Sequence, residues 1–182
     1  MKNSFGTGNK IYLRPASISD AKGNWYKWLN DREITKYLTE RFWPNTKELQ
    51  IQFVKNNISA RDRLIFSICL KNNDKHVGQC ALSYINWIQR YANISIIIGE
   101  KKFRKGTIAL ESYNLLLQIA FERFNLLHVK SAFCNPIAEK YHNFLGFKKV
   151  GIYKKLLFID NKYFDLKLYI LSRKDWLRKN KK

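Results

Sequence analysis

Residues 92–112 read ANISIIIGEKKFRKGTIALES, and the character of the chain changes twice within them. Residues 94–98 form an apolar run of strand type that stops at Gly99. A basic segment, 101–106, follows, and a helix begins near Thr107. Strand, basic turn and helix N-terminus together make a geometry that holds phosphate. The first N–H groups of a helix have no partner inside it, and its dipole adds partial positive charge there. The plain alternative is an ordinary strand-to-helix connection with surface lysines.

Working outward, the helix after the turn carries Glu111, Asn114, Gln118 and Glu122 on one narrow stripe, and nearly all the rest of it is apolar. A helix apolar around most of its circumference is central to a fold. Residues 64–70 (LIFSICL), 76–85 (HVGQCALSYI) and 92–98 read as three antiparallel strands joined by polar turns. Upstream, residues 11–15 make a short strand ended by Pro15. Ser19 and Asp20 offer N-cap chemistry for a helix through Trp25, Trp28 and Leu29. Ile34, Tyr37 and Leu38 belong to a second short helical piece, and Thr46 caps a helix with Leu49, Phe53 and Val54 on its buried side. Downstream, 128–134 is a strand, and 137–145 is a short helix closed by Gly146. Residues 150–159 and 163–171 form a hairpin across Asp160, Asn161 and Lys162.

The order β, α, α, β, β, β, α, β, α, β, β predicts an α+β domain. It is built on one mixed, mostly antiparallel sheet of about seven strands, with helices on both faces. The domain spans residues 1–182, with 1–9 and 178–182 as flexible tails.

With 182 residues and 46% hydrophobic content, a packed core is expected without disulfide or metal. The three cysteines, Cys69, Cys80 and Cys134, each lie in an apolar run and show no C-x-x-C pairing, which fits buried thiols in a reducing cytoplasm. No metal site is expected. The first ten residues, MKNSFGTGNK, lack the apolar region of a signal peptide, and no apolar run is long enough to span a membrane. Net charge is +20, from 34 basic and 14 acidic side chains. Such a field favours anionic partners, although the abundance of Lys, Asn and Ile together points to compositional bias as the larger cause.

Taken with NPIAEKYHNFLGFKKVG at 135–151, the opening stretch resembles the GCN5-related N-acetyltransferases, the GNAT superfamily. The resemblance runs over almost the whole chain. It is nearest to the branch that acetylates protein N-termini and amino-sugar nucleotides, through IYLRPASISDAKGNWYKWLNDREITKYL at 11–38 and NKYFDLKLYIL at 161–171 with its internal Asp165. It implies acetyl-CoA as co-substrate and direct attack of a primary amine on the thioester.

The resemblance also implies roles for particular residues. The family's pyrophosphate loop, Q/R-x-x-G-x-G/A, puts Arg104 first, Thr107 at the central Gly and Ala109 last. The Gly present is Gly106, one place early. The N–H groups of Arg104, Lys105, Gly106, Thr107, Ile108 and Ala109 are therefore expected at the pyrophosphate, and the backbone of Ile96, Ile97 and Ile98 along the pantetheine arm. Asn135 matches a cofactor-contacting Asn. Four residues before Gly146, where many members carry a Tyr that protonates the departing thiolate, stands His142, with Tyr141 beside it. Either chemistry serves as acid. Glu100 is a candidate base, although a solvated loop carboxylate is its plainer reading. His76 and His128 begin strands and read as structural. Tyr84 and Trp87 flank a turn and either line the acceptor pocket or cap the sheet.

The expected function is acetyl transfer to an amine in the cytoplasm. The acceptor is a nucleotide-linked amino sugar or a ribosomal-protein N-terminus, with a slight preference for the sugar, and a homodimer is left open. The rival is a non-catalytic, basic nucleic-acid-binding module whose footprint is the +20 charge.

Overall fold

The strand-type runs form β1 (Gly6–Thr7), β2 (Ile11–Pro15), β3 (Leu64–Leu70), β4 (His76–Asn86), β5 (Tyr91–Ile98), β6 (His128–Phe133), β7 (Lys148–Ile159) and β8 (Lys162–Ser172). In this computed structural model, which describes residues 3–104 and 106–180, they join into one sheet in the order β1-β2-β3-β4-β5-β6-β8-β7. Every neighbouring pair is antiparallel except β5 and β6, which are parallel.

The helices are α1 (Ile18–Asp20), α2 (Tyr26–Asn30), α3 (Arg32–Thr35), α4 (Lys47–Ile58), α5 (Thr107–Gln118), α6 (Pro136–Leu145) and α7 (Arg173–Asn180). Side chains alternate across a strand, and β3 shows the result. Phe66 and Ile68 pack into the core that holds Tyr113, Leu116 and Phe121, beneath α5, whereas Ile65 packs with Ala21, Trp25, Trp28 and Val54 on the opposite face. Helices therefore cover both faces, as the sequence predicts. Leu116 and Leu117 of α5, with Ala120 and Phe121 in the turn that continues it, are fully buried, which fits the narrow polar stripe of this helix.

Four local expectations need correction. The cap of α1 is Ser17, not Ser19 or Asp20: Asp20 N–H donates to the Ser17 hydroxyl, and the Asp20 carboxylate accepts from Ser17 N–H, a reciprocal capping box. On α4 the buried residues are Gln50 and Val54, while Leu49 and Phe53 are exposed. Residues 3–9 are not a loose tail throughout, since Gly6 and Thr7 pair with Leu13 and Tyr12. Residues 178–180 belong to α7, which sets Trp176 into the core and starts where the Ser172 hydroxyl accepts from Asp175 N–H. Among the described residues no helix is long and apolar enough to cross a membrane.

Candidate active site

The parallel pairing of β5 and β6 is brief. It covers only Tyr91 with His128, Ala92 with Val129 and Asn93 with Lys130. Beyond Asn93 the strands part. β5 continues to Ile98 against β4 alone, and β6 continues to Phe133 against β8 alone. Along residues 94–98 the edge of β5 that faces β6 thus carries main-chain N–H and C=O groups with no ladder partner, and unpaired strand edges invite a further extended segment. Ile96 and Ile98 pack partly against the core, so the apolar side chains are accounted for by packing while the backbone edge stays available.

At the wide end of this opening the chain turns from β5 into α5. Gly99 is buried, and a Cβ there would fall inside the Trp28 ring, so glycine is what lets α2 close over the end of β5. Gly106 is the N-cap of α5, with φ 145° and no capping side chain. That φ is open to glycine and strained for other residues, and nothing lies within 4 Å of where its Cβ would be. The first N–H groups of α5, at Thr107, Ile108 and Ala109, therefore face an uncrowded space without a side-chain cap. The Ile108 and Ala109 side chains are buried and Thr107 is exposed.

Glu111 Oε1 accepts from Lys10 N–H at 2.9 Å, which fixes the β1–β2 turn against α5. That contact sets the Lys10 ammonium 3.4 Å from the Thr107 hydroxyl. Lys71 and Lys102 join Lys10 and Thr107 in lining a cavity of about 480 Å³ at this helix end. The three lysines, invisible as a cluster in the sequence because they come from three separate turns, concentrate positive charge at this helix end. Lys105 lies outside the described residues.

Arg104 behaves differently from its neighbours. Its guanidinium reaches Asp31 and Glu33 at 3.4 Å each and the Gly99 carbonyl at 3.2 Å, so it latches the loop to α3. Its N–H donates to Lys101 C=O. Asp31 also accepts from Glu33 and Ile34 N–H. Burial pushes its carboxyl up, but these bonds and Arg104 outweigh burial and hold it below the usual carboxylate range. Glu100 is ion-paired with Lys75 at 2.6 Å on the β4 side of β5, away from β6.

α6 supplies the other wall. Asn135 is its N-cap, with Oδ1 accepting from Ile137 N–H at 2.9 Å and Pro136 in the first turn. Tyr141 is half-buried, and its hydroxyl reaches the Gly106 carbonyl at 3.4 Å. His142 is fully buried among Phe133, Tyr113, Phe147 and Tyr169, with ring centroids 4.4 to 5.8 Å away. Its Nδ1 lies 2.8 Å from Ala138 C=O. A carbonyl can only accept, so the proton is on Nδ1. Nε2 is buried without a partner among the described residues. Burial drives the imidazole pKa down to about 4 against the opposing pull of the Ala138 bond. The ring is neutral near pH 7, with no proton at Nε2 to give.

Tyr84 and Trp87 lie at the far end. They precede Tyr91, where β5 and β6 are still paired, whereas the opening begins after Asn93. Trp87 Nε1–H donates to Arg61 C=O at 2.6 Å, and its ring packs edge-on to Phe124. For Trp87 these contacts fit the reading as a cap of the sheet. Cys69 and Cys80 are buried free thiols and Cys134 is half-buried. Among the described residues no cluster of His, Cys, Asp or Glu suits a metal ion.

The comparisons with known proteins agree with this geometry. The Acetyltransferase (GNAT) domain family matches residues 10–143. Spermidine N(1)-acetyltransferase of Vibrio cholerae is 31% identical over 149 residues, covering 80% of this chain and 84% of that protein. Uncharacterized N-acetyltransferase p20 of Bacillus licheniformis is 24% identical over 172 residues, covering 92% and 95%. Among solved structures, spermidine N-acetyltransferase from Vibrio cholerae in complex with CoA and spermine superposes with a TM-score of 0.85 at 23% identity, over 93% of this chain and 99% of that one. The ribosomal α-N-protein acetyltransferase RimL in complex with coenzyme A does so with 0.80 at 16% identity, over 91% and 95%. At these identities the two structures speak for the fold.

Proposed function

The chain belongs to the GNAT family of N-acetyltransferases, with acetyl-CoA as co-substrate, and from that premise we propose how its own residues serve the transfer. The free edge of β5 at Ile96, Ile97 and Ile98 takes the pantetheine arm as an added strand. The bare N-terminus of α5, from Gly106 to Ala109, takes the pyrophosphate, with Lys10, Lys71 and Lys102 neutralising it. Gly106 supplies the close approach that the family pattern assigns to the next position. The observation that carries this reading is the parting of β5 and β6 after Asn93. The family assignment sets aside the nucleic-acid module as an account of the whole chain.

The amine nitrogen attacks the thioester carbonyl carbon directly. A main-chain N–H on the open edge of β5 stabilises the oxyanion that forms. As the C–S bond breaks, the thiolate takes a proton from Tyr141, whose hydroxyl is held by one long hydrogen bond to Gly106 and is free to turn. His142 is assigned a packing role, because its only proton is committed to Ala138. Glu100 is engaged by Lys75, so the proton of the attacking amine is released to water, and the Tyr141 phenolate regains its own from water. Exposed Val150, Leu156 and Phe158 on the edge strand β7 support a homodimer through that hairpin, which light scattering on the purified chain tests directly. The transfer itself is tested by thiol release from acetyl-CoA over a panel of primary amines. Release that tracks acetylated amine supports it, and acetyl-CoA binding without release from any amine would reject it.

A further inference from the structure

The end of the sheet away from the cofactor opening carries charge and apolar surface that acetyl transfer leaves unused. Of the chain's ten arginines, five gather there: Arg61, Arg63, Arg90, Arg123 and Arg173. Contacts join them into one patch. Trp87, in the turn between β4 and β5, donates through Nε1–H to Arg61 C=O and packs edge-on to Phe124. Phe124 stacks on Phe5, whose ring carries the Arg123 guanidinium at 3.6 Å. Arg90 donates twice to Asn125 C=O, at 2.7 and 2.9 Å, and Arg173 donates to Asn125 Oδ1 at 2.6 Å. The Arg63 guanidinium lies over the Tyr84 ring at 5.6 Å.

A bias towards Lys, Asn and Ile does not gather arginines at one end of a sheet. Elsewhere Arg14, Arg32, Arg41 and Arg104 are ion-paired. Among the described residues none of these five is. The carboxylates beside them in the chain do not cancel their charge: Asp175 is engaged by Lys148, and Asp62 and Glu122 leave the five guanidinium groups an excess of three. Arg90 and Arg173 are held by neutral oxygens, which orients a charge without neutralising it.

The backbone here is strained as well. Tyr84 and Arg90 have φ of 51° and 57°, a left-handed conformation that costs a bulky residue more than glycine or asparagine. The β4–β5 register breaks between Ser83 and Asn86. Strain of this kind gathers at functional positions, and the side chains presented are apolar. Ile88 at the hairpin tip is 89% exposed and Tyr84 63%.

We propose that this hairpin tip docks on an anionic lipid surface. Ile88 and Tyr84 enter the boundary between headgroups and acyl chains, and the arginines meet the lipid phosphates, whose oxygens a guanidinium fork matches in pairs. A single-stranded nucleic acid would use the same arginines, but its bases stack on aromatic faces. Here Trp87 is fixed at Nε1 and against Phe124, one face of Tyr84 lies under Arg63, and the most exposed side chain is aliphatic. Lipid is the better match. The tip lies at the paired end of β5, roughly 20 Å along that strand from Ile98 at about 3.3 Å per residue, so a docked molecule keeps its cofactor opening free.

Co-sedimentation with vesicles tests the docking, and acetyl transfer need not be measured. In about 0.1 M salt, which screens charges more than about 10 Å from the membrane, the protein should bind phosphatidylcholine vesicles that contain about 30% phosphatidylglycerol. Pure phosphatidylcholine should bind at least about 10-fold more weakly. Ile88→Asp should weaken binding to the anionic vesicles by about 10-fold or more, and so should Arg61→Glu combined with Arg63→Glu. Lys140→Glu combined with Lys162→Glu makes the same change in net charge on exposed lysines of α6 and β8, and should cost no more than about 3-fold. Ile88 and Arg61 are exposed, and melting temperatures equal to the parent's without vesicles verify the fold. Vesicle binding that is absent, or equal in parent and Ile88→Asp, overturns the proposal. A lysine pair as damaging as the arginine pair also overturns it, because net charge alone would then suffice. A uridine oligonucleotide that binds through the two arginines and displaces nothing from vesicles, in a parent that ignores lipid, assigns the patch to nucleic acid instead.

Discussion

Two helix N-termini face the opening between β5 and β6, and they are finished in opposite ways. α6 is closed: Asn135 caps it, and Pro136 in its first turn brings no N–H that needs a partner. α5 is left bare: Gly106 has no side chain to cap it, and three lysines line the cavity beside it. A glycine in place of a capping side chain costs about a few tenths of a kcal/mol of helix stability, and lysines gathered at a positive dipole end add to that cost. Both losses are offset when an anion arrives. On the proposed reading, the contrast separates a helix end built for the fold from one kept for a ligand.

The difference can be attacked from either side. The largest effect is expected at α5. Thr107→Glu puts a carboxylate on the bare end and should weaken acetyl-CoA at least 100-fold, about 2.7 kcal/mol. The rise in melting temperature that acetyl-CoA confers on the parent should then vanish, and a shift equal to the parent's would mean that the phosphate sits elsewhere. On α6, Tyr141→Phe should lower kcat roughly 100-fold, the low end of the usual range for a general acid, with acetyl-CoA affinity within about 3-fold of the parent. An unchanged kcat would return the acid role to another group.

His142 gives a pH signature instead. Its folded pKa, about 4, lies below the ordinary value of 6.5, so between those values the unfolded chain takes up a proton that the native protein refuses. Stability therefore falls as pH drops, by about 2 kcal/mol from pH 6.5 to 5 on the standard conversion. In His142→Phe that component should be missing from urea unfolding at the two pH values; a parent-like slope would show that the imidazole already titrates normally in the fold. The smallest effect belongs to the closed helix end. Asn135→Ala should cost about 1 kcal/mol of stability and shift acetyl-CoA affinity no more than about 3-fold. A large loss of affinity would make Asn135 a cofactor ligand as well as a cap.

Much of this was legible from residue order alone. The apolar runs from Leu64 to Ile98 and the narrow polar stripe of α5 are local signals, and local periodicity is what burial acts on. The sequence reading places the cap of α1 two or three residues late and expects no helix at α7, although each start carries a Ser-x-x-Asp pair, Ser17 with Asp20 and Ser172 with Asp175. The site was harder because its parts meet only through register. Whether Trp87 lines the opening depends on which end of β5 parts from β6, and nothing near Trp87 in the chain records that. Lys10, Lys71 and Lys102 come from three turns. Tyr141 and His142 are adjacent on a helix and so point about 100° apart. Which of them meets solvent is decided by Phe133, Phe147 and Tyr169, supplied by other strands or the loop before β7.

The central claim is that the free edge of β5 becomes a ladder with acetyl-CoA. Amide hydrogen exchange at Ile96, Ile97 and Ile98, followed residue by residue by NMR with and without saturating acetyl-CoA, measures it most directly. At least one of these amides should exchange more than 10-fold more slowly in the complex, while those of α4 stay as they were. Saturation with acetyl-CoA that leaves all three unchanged would contradict the account, whatever the melting temperature did.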